Sequence, residues 1–189
     1  EPFAIGSHCT GRGRVVEDDV VFILGTGTIG SIILQTCKAK GCKTVICCDI
    51  SDSSLERAKE YGADYVINSK TQDVVAEIQK ITDGHGCTVA FDSACFPGSL
   101  TMCLQPGILC NAGRMVPMGF CTEKEGITQA MINQRELDII GSRMSQDAFE
   151  PTIARMEKGE YITEGIATTF IKFSDIDKVF YLMDHPDES

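Results

Sequence analysis

A glycine-rich hexapeptide is the part of the sequence with the clearest chemical meaning. Gly25, Gly27 and Gly30 form a GxGxxG pattern that follows the apolar run Val20–Leu24 and opens a helical pattern. In that context Gly25 permits a tight turn, Gly27 lets the backbone approach a pyrophosphate, and Gly30 lets the helix pack closely on a sheet. The N-terminus of the helix adds N–H donors and a partial positive charge. The pattern therefore predicts a dinucleotide-binding turn.

An acidic residue, Asp49, ends the second apolar run, 19 residues after Gly30. An acid near this spacing accepts hydrogen bonds from the ribose hydroxyls of a bound dinucleotide. Ile50 and Ser51 follow, and no Lys or Arg lies among the next few residues. A 2′-phosphate would meet the charge of Asp49 without a cation to offset it, so the sequence predicts NAD(H) rather than NADP(H). The alternative is a structural glycine turn and an acid that only caps the next helix.

Apolar runs alternate with helical patterns along the chain, and this alternation positions the residues above. Short, continuous runs typical of buried strands are Val20–Leu24, Thr44–Cys48, Tyr65–Ile67, Thr88–Phe91, Met115–Met118 and Leu137–Ile140. Helical patterns cover Thr28–Lys40, Ser53–Tyr61 and Asp73–Thr82, with Ser53 expected to cap the second helix and Gly41 and Gly62 to follow helix ends. The alternation predicts an α/β fold, a doubly wound Rossmann arrangement with a six-stranded parallel sheet of order 3-2-1-4-5-6 and helices on both faces.

The C-terminal part of the sequence has a different character. A helix is predicted over Asp147–Lys158, an extended stretch over Ala167–Phe173 and a short helix over Ser174–Met183. Its apolar residues have no obvious partner in the predicted sheet domain; they are Ile166, Phe170, Ile171, Phe173, Phe180 and Tyr181. We therefore divide the chain into a dinucleotide-binding domain, residues 1–160, and a further segment, residues 161–189.

Composition excludes several classes of partner. The formal net charge of −10 disfavours nucleic acids and anionic membrane surfaces. No apolar run approaches the roughly 20 residues that span a bilayer. The ten cysteines include no CxxC pair, which predicts buried thiols in a reducing, cytoplasmic environment. Three scattered histidines lack metal-ligand spacing, so we expect no metal site within this chain. Because the chain starts at Glu1 without Met, we expect it to begin inside a longer protein.

Several further segments carry a resemblance to a known family. They are Glu1-Pro2, Gly25–Gly30, the stretch from Asp49-Ile50-Ser51 to Asp64, Met118-Gly119-Phe120 and Glu136–Ser142. Together they resemble the cofactor-binding half of the zinc-dependent medium-chain alcohol dehydrogenases, and within them the sorbitol, threonine and galactonate dehydrogenases. The matches span nearly the whole chain in the family's order.

The resemblance implies roles for individual residues. Met118, Gly119 and Phe120, and likewise Ser142 and Arg143, match segments beside the nicotinamide. Ile29 matches a residue that packs near the cofactor, and Glu1 matches a carboxylate at or near a catalytic zinc whose main ligands lie in an N-terminal domain outside this chain. The full predicted cofactor-binding set is Gly25, Gly27, Thr28, Ile29, Gly30, Asp49, Ile50, Ser54, Met118, Gly119, Phe120, Ser142 and Arg143.

The sequence also departs from the family's pattern. Ser54 stands where an Arg or Lys is common, five residues after the ribose-binding acid. Ala94-Cys95 replaces a Thr-Gly or Ser-Gly pair, and Thr28 replaces a common Pro. Arg143 follows a predicted strand end, where it could bind a phosphate or a substrate carboxylate or simply be a surface residue.

The resemblance implies the NAD(H)-binding domain of a zinc-dependent oxidoreductase that transfers hydride between NAD and a small secondary alcohol: a polyol, a sugar acid or a hydroxy amino acid. This chain alone is expected to be inactive. The alternatives are a stand-alone NAD(H)-sensing module, a zinc-free quinone-reductase relative and, ranked last, an S-adenosylmethionine-binding fold. The segment Glu136–Ile140 is expected to form an edge strand through which a homo-oligomer assembles.

Overall fold

The computed structural model describes residues 1–185, and these contain a six-stranded sheet in which every pair of neighbouring strands is parallel. The order is β3-β2-β1-β4-β5-β6, which confirms the predicted topology. The strands are β1 Val20–Leu24, β2 Thr44–Asp49, β3 Tyr65–Asn68, β4 Cys87–Asp92, β5 Leu109–Pro117 and β6 Asp138–Ile139. The chain order reverses between β1 and β4, so loops that leave these two strands diverge to opposite sides and open a crevice at their carboxyl ends.

Eight α-helices and one 3-10 turn connect and flank the strands in the described part of the chain. They are α1 Pro2–Arg12, α2 Thr28–Ala39, α3 Asp52–Glu60, α4 Val74–Ile81, α5 Ser99–Cys103, α6 Gln129–Asn133, α7 Phe149–Glu157, the 3-10 turn Phe173–Asp175 and α8 Asp177–Asp184. None of the described helices is both long and apolar enough to cross a lipid bilayer.

The cap predictions had mixed outcomes. The prediction for Ser53 is wrong: Ser51 is the N-cap of α3, and its hydroxyl accepts a hydrogen bond from the Ser54 amide. Ser53 lies inside the first turn, where its hydroxyl is 3.0 Å from that of Ser51. Gly41 and Gly62 follow the ends of α2 and α3 with φ of +88° and +96°, the left-handed conformation expected there.

Two apolar layers hold the helices on the two faces of the sheet. One face of the sheet contributes Val21 and Ile23 and packs against α2 and α3 through residues such as Ile33 and Ala58. The other face contributes Phe22 and Leu24 and packs against α4 and α5. Alternate residues of β1 thus point to opposite faces, as a strand buried on both sides requires.

The cysteines are part of these layers. All ten lie in the described residues as free thiols, and seven of them are buried. Burial raises the pKa of Cys48 to about 12, and it also raises the pKa of Cys9 and Cys87 to about 12. These thiols are therefore protonated and unreactive at neutral pH, in agreement with their predicted structural role.

The C-terminal segment is only partly detached from the sheet domain. Tyr161 is buried, and its ring packs on Phe3 of α1 with a centroid distance of 4.9 Å. Ile166 packs against the same core, so the expectation that it lacks a partner is wrong. Beyond it, Phe170 and Phe173 are each 87% exposed. The predicted helix over Ser174–Met183 begins later than expected, because Phe173–Asp175 form a 3-10 turn.

Candidate functional site

The glycine-rich turn connects β1 to α2 and contains two glycines that the backbone requires. Gly25 has φ of +87°, and a Cβ on it would lie 2.8 Å from the Ala94 amide nitrogen. A Cβ on Gly30 would lie 1.9 Å from the Gly25 carbonyl oxygen. By contrast, a Cβ on Gly27 would meet no atom within 4 Å. The turn is therefore close-packed behind Gly25 and Gly30 and open at Gly27, so a ligand can approach the backbone there.

The N-terminus of α2 faces the open side of this turn. Gly27 is the N-cap and has no side chain that could accept a hydrogen bond from the first turn of the helix. The N–H groups of the first turn have no partner inside the helix. They and the positive end of the helix dipole therefore form a site suited to a phosphate, next to Thr28.

Asp49 lies at the carboxyl end of β2, beside the glycine turn. One carboxylate oxygen accepts hydrogen bonds from the Thr26 amide at 2.7 Å and the Thr26 hydroxyl at 3.0 Å. The other accepts from the amides of Ile50 at 2.7 Å and Ser51 at 3.0 Å. Asp49 thus binds the glycine turn to the end of β2. It does not cap α3, a role that Ser51 fills, so the alternative interpretation of this acid as a helix cap is wrong.

A cavity of about 290 Å³ lies at the carboxyl ends of the central strands. Five residues predicted to be near the nicotinamide line it together with Ile29, which was predicted to pack near the cofactor; the five are Met118, Gly119, Phe120, Ser142 and Arg143. Ile5 of α1, Ser93 after β4 and Met144 complete the wall. Residues far apart in sequence therefore converge at the topological switch point of the sheet, which is where ligands bind in open α/β folds.

Two polar groups in this cavity have distinct environments. The hydroxyl of Ser142 is buried and has no hydrogen-bond partner within residues 1–185. Arg143 places its guanidinium 5.1 Å from the centroid of the Phe120 ring, and Phe120 is itself 73% exposed. An unpaired buried hydroxyl is unfavourable, so the Ser142 side chain is ready to bond a ligand that enters the cavity.

The loop after β4 contributes Ser93 to the wall of the cavity, and sequence reasoning named its residues Ala94 and Cys95 but not Asp92 or Ser99. Asp92 accepts hydrogen bonds from the amides of Ala94 and Cys95 and from the Ser99 hydroxyl. Cys95 has φ of +53° and sits against Gly119, where a Cβ would lie 1.9 Å from the Cys95 sulfur. The departure from the family pattern at residues 94 and 95 is thus accommodated by the glycine at 119.

A second, smaller cavity of about 150 Å³ lies on the other side of the glycine turn. Thr26, Gly27 and Thr28 line it together with Arg57 of α3 and Tyr61, the residue directly after α3. Ser54 accepts a hydrogen bond from the Arg57 guanidinium at 3.1 Å. Sequence reasoning named Ser54 and missed Arg57, although their spacing of three residues places both on one helical face.

The residues needed for a zinc site do not come together within the described part of the chain. No three His, Cys, Asp or Glu side chains between residues 1 and 185 converge as a metal-binding group. Glu1 is exposed at the N-cap of α1, and its carbonyl accepts from the amides of Ala4 and Ile5. Glu1 therefore lies one turn before Ile5, which lines the cavity of about 290 Å³, called the larger cavity below. By itself Glu1 does not fit a zinc ion.

The strand β6 is shorter than the predicted run Leu137–Ile140. It comprises Asp138 and Ile139 and pairs with β5 through the partners Arg114–Asp138 and Met115–Ile139. Both of its residues are exposed, and Asp138 forms an ion pair with Arg14. In the described sheet this strand is at the edge.

Comparison with known proteins identifies the family. A family model for zinc-binding dehydrogenases matches residues 28–158. The chain belongs to the zinc-binding dehydrogenase family. Among the relatives of this chain, the starvation-sensing protein RspB of Escherichia coli K12 is 36% identical over 178 residues, which is 93% of the chain and 51% of RspB. Sorbitol dehydrogenase of Bacillus subtilis is 29% identical over 170 residues, 89% of the chain and 46% of that enzyme.

A solved structure extends the comparison. The crystal structure of an alcohol dehydrogenase (rspB) from Escherichia coli CFT073, complexed with NADH, superposes with a TM-score of 0.89 at 33% identity. The similarity covers 97% of this chain and 54% of that one. The chain thus spans about half the length of the relatives it matches.

Proposed function

We propose that this chain is the NAD(H)-binding half of a zinc-type oxidoreductase that acts on a small secondary alcohol, such as a polyol, a sugar acid or a hydroxy amino acid. The observation that carries the proposal is the larger cavity. It gathers Ile29, Met118 and Phe120 around the unpaired hydroxyl of Ser142, at the point of the sheet where ligands bind.

The two sides of the glycine turn suit different parts of a dinucleotide. The N-terminus of α2 would bind the pyrophosphate through backbone N–H groups near Gly27 and Thr28. Asp49 and the neighbouring Ile50 and Ser54 would lie along the adenosine ribose. The charge of Asp49 opposes a 2′-phosphate, which supports NAD(H) over NADP(H).

The larger cavity would hold the nicotinamide ring. The apolar side chains of Ile29 and Met118 exclude water from one side, and the Ser142 hydroxyl is available to the polar carboxamide. When bound, the nicotinamide supplies the hydride acceptor or donor of the reaction. The residues of this chain would then act by orienting the ring and by shielding it from water. Gly119 leaves room for the Cys95 side chain, which occupies the space where a Cβ on Gly119 would be.

Zinc and substrate would be held mainly by a part of the protein other than this chain. The described residues lack a zinc donor set, and Glu1 is the one residue here that we place near the metal. The exposed side chains of Phe170 and Phe173 support a segment from residue 161 that packs on such a part. The resemblance to sorbitol dehydrogenase and to the NADH-bound alcohol dehydrogenase supports the same assignment.

Assembly is a further part of the proposal. We place a homo-oligomer contact at the outer edge of β6, because Asp138 and Ile139 are exposed there. Size-exclusion chromatography with light scattering is expected to show a dimer that Ile139→Lys dissociates. A monomeric wild type would remove this contact.

Isothermal titration of the chain with NADH and with NADPH tests the cofactor assignment directly. We expect NADH to bind at least tenfold more tightly, about 1.4 kcal/mol. ADP-ribose, which lacks nicotinamide, serves as the matched ligand for the contribution of the larger cavity. Equal affinities for NADH and NADPH, or no binding of either, would contradict the proposal.

A further inference from the structure

Arg57 is a cation beside the glycine turn to which neither the fingerprint nor the family resemblance assigns a role. We infer that Arg57 binds the pyrophosphate of the dinucleotide and so supplies the positive charge that Ser54 lacks. This inference rests on the proposed function, since it concerns the same cofactor site. It adds a specific side chain to a subsite that is otherwise formed by backbone N–H groups.

The face of α3 that carries Arg57 is turned toward the glycine turn. Ser54 and Arg57 are three residues apart and share one side of α3, and Tyr61 follows four residues later, directly after the end of the helix. Arg57 and Tyr61 both line the cavity of about 150 Å³ that Gly27 and Thr28 close from the opposite side. Arg57 therefore lines the same small cavity as the N-terminus of α2.

The charge of Arg57 is not neutralised by a carboxylate. Its side chain is partly buried and donates to the neutral hydroxyl of Ser54 at 3.1 Å. None of the ion pairs formed within residues 1–185 includes it. Burial raises the pKa of the neighbouring Tyr61, and the charge of Arg57 acts in the opposite direction. The guanidinium is thus close to Tyr61 and free to bind an anion.

Two sources of positive potential meet in this cavity. The N-terminal end of α2 carries a partial positive charge, and Arg57 carries a full one. They repel each other weakly unless an anion lies between them. A pyrophosphate relieves this repulsion and offers pairs of oxygens that a planar guanidinium can bind with two parallel hydrogen bonds.

The walls of the cavity distinguish the pyrophosphate from a 2′-phosphate. The cavity is lined by residues of the turn and of the start of α2, namely Thr26, Gly27, Thr28 and Ser31. Asp49 and Ile50, which would adjoin the ribose, do not line it. Arg57 is therefore directed to the central phosphates that all such dinucleotides share. Its contribution to affinity is expected to be the same for NADH and NADPH.

The C-terminal segment closes the cavity and fixes its shape. Tyr61 donates from its hydroxyl to the Glu164 carbonyl at 2.8 Å. Gly165 has φ of +76°, and a Cβ on it would lie 2.7 Å from the Tyr61 hydroxyl oxygen. Gln35 of α2 bonds both the amide and the carbonyl of Ile162, at 2.6 and 3.1 Å. These contacts hold Gly165 and Ile166 over the cavity, where they limit the access of water to Arg57.

The test is a titration of Arg57→Gln and Arg57→Lys with NADH, NADPH and ADP-ribose at two salt concentrations. Lys59→Gln is the matched control, because it removes one positive charge from the exposed side of the same helix. We expect Arg57→Gln to weaken all three ligands by about 10- to 30-fold, as loss of a charge-assisted hydrogen bond does. Arg57→Lys should lose less affinity than Arg57→Gln, and Lys59→Gln should bind the ligands about as tightly as wild type. The affinity of Arg57→Gln should depend less steeply on salt concentration than that of wild type.

The possible failures are distinguishable. A wild-type chain that binds no dinucleotide would overturn the proposed function and this inference with it. Wild-type affinity in Arg57→Gln would overturn the inference alone, and a loss confined to NADPH would assign Arg57 to a 2′-phosphate and overturn it as well. Because Arg57 has no ion pair to lose, the melting temperature of Arg57→Gln should stay near that of wild type. If Arg57→Gln does not fold, the affinity of Arg57→Lys for ADP-ribose decides the outcome. Arg57→Lys keeps the positive charge but removes the planar guanidinium.

Discussion

Thr26 is bonded twice to one carboxylate oxygen of Asp49, through its amide at 2.7 Å and its hydroxyl at 3.0 Å. The residue between the first two glycines thus anchors the acid at the end of the neighbouring strand. With the two amides that bond the other oxygen, Asp49 already accepts four hydrogen bonds. A carboxylate has about four lone-pair sites, so a ribose hydroxyl must displace one of these donors or share its site.

The Thr26 hydroxyl is the donor that can leave most easily, since it can rotate whereas the amides cannot. Thr26→Val removes it and keeps the shape of the side chain and the bond from the amide. We therefore expect NADH to bind about threefold more tightly, a change of ~0.7 kcal/mol. Calorimetry with NADH checks this. A tenfold loss of affinity would mean that the hydroxyl orients Asp49 for the ribose and does not compete with it.

Asp49 itself should determine the choice of dinucleotide. In Asp49→Ser we expect weaker NADH binding, by about tenfold, and a ratio of NADH to NADPH affinity that falls toward one. The reason is that the serine no longer repels a 2′-phosphate. Glu56→Gln, which removes an exposed negative charge from α3, is the control. If the ratio is unchanged in Asp49→Ser, the preference arises elsewhere in the site.

The buried hydroxyl of Ser142, which has no partner in the described residues, gives a prediction in which a substitution weakens NADH binding without lowering stability. Ser142→Ala removes a buried group that has no partner in the described residues, so the free energy of unfolding should stay within about 0.5 kcal/mol of wild type or rise. NADH should bind about three- to tenfold more weakly if the hydroxyl bonds the carboxamide. Thermal unfolding and NADH titration measure the two effects.

ADP-ribose is the internal control for Ser142→Ala. It lacks the nicotinamide and so should bind the variant and the wild type equally. A parallel loss for ADP-ribose and NADH would show that the substitution disturbs the whole site. An unchanged NADH affinity would remove Ser142 from the nicotinamide contacts.

The sequence predicted the central sheet well because β1, β2 and β4 are continuous apolar runs. It predicted only the end of β5, since the strand begins at Leu109 and includes Asn111, Gly113 and Arg114 before its apolar part. Arg114 is tolerated there because its guanidinium forms an ion pair with the buried carboxylate of Asp19, which is distant in sequence. No local pattern around residue 114 reports such a long-range partner.

The candidate site was predictable to different degrees. Gly25 and Gly30 follow from the conformation and close contacts that a tight turn imposes, and Gly27 follows from the open space that a ligand needs beside the backbone. The larger cavity was predictable only through resemblance, because Ile29, Met118 and Ser142 belong to separate elements. Thr26 and Arg57 were missed, since their importance depends on where the end of β2 and the face of α3 lie relative to the turn. A helical period shows which residues share a face and leaves open what that face contacts.

Gly119 and Cys95 should depend on each other. In Gly119→Ala the new Cβ would lie 1.9 Å from the Cys95 sulfur, so the loop beside the larger cavity must shift. We expect a loss of about 1–3 kcal/mol in the free energy of unfolding. NADH should also bind several-fold more weakly, while ADP-ribose binding should change less. Chemical denaturation and titration provide the two measurements.

The double variant Cys95→Gly with Gly119→Ala tests whether the clash is the cause. Glycine at 95 removes the sulfur and also suits the φ of +53° at that position, so the double variant should recover most of the stability and NADH affinity. The single variant Cys95→Gly completes the cycle and isolates the coupling between the two sites, expected at about 1 kcal/mol or more. Additive effects would show that Gly119 is required for the backbone conformation of its own loop, independently of Cys95.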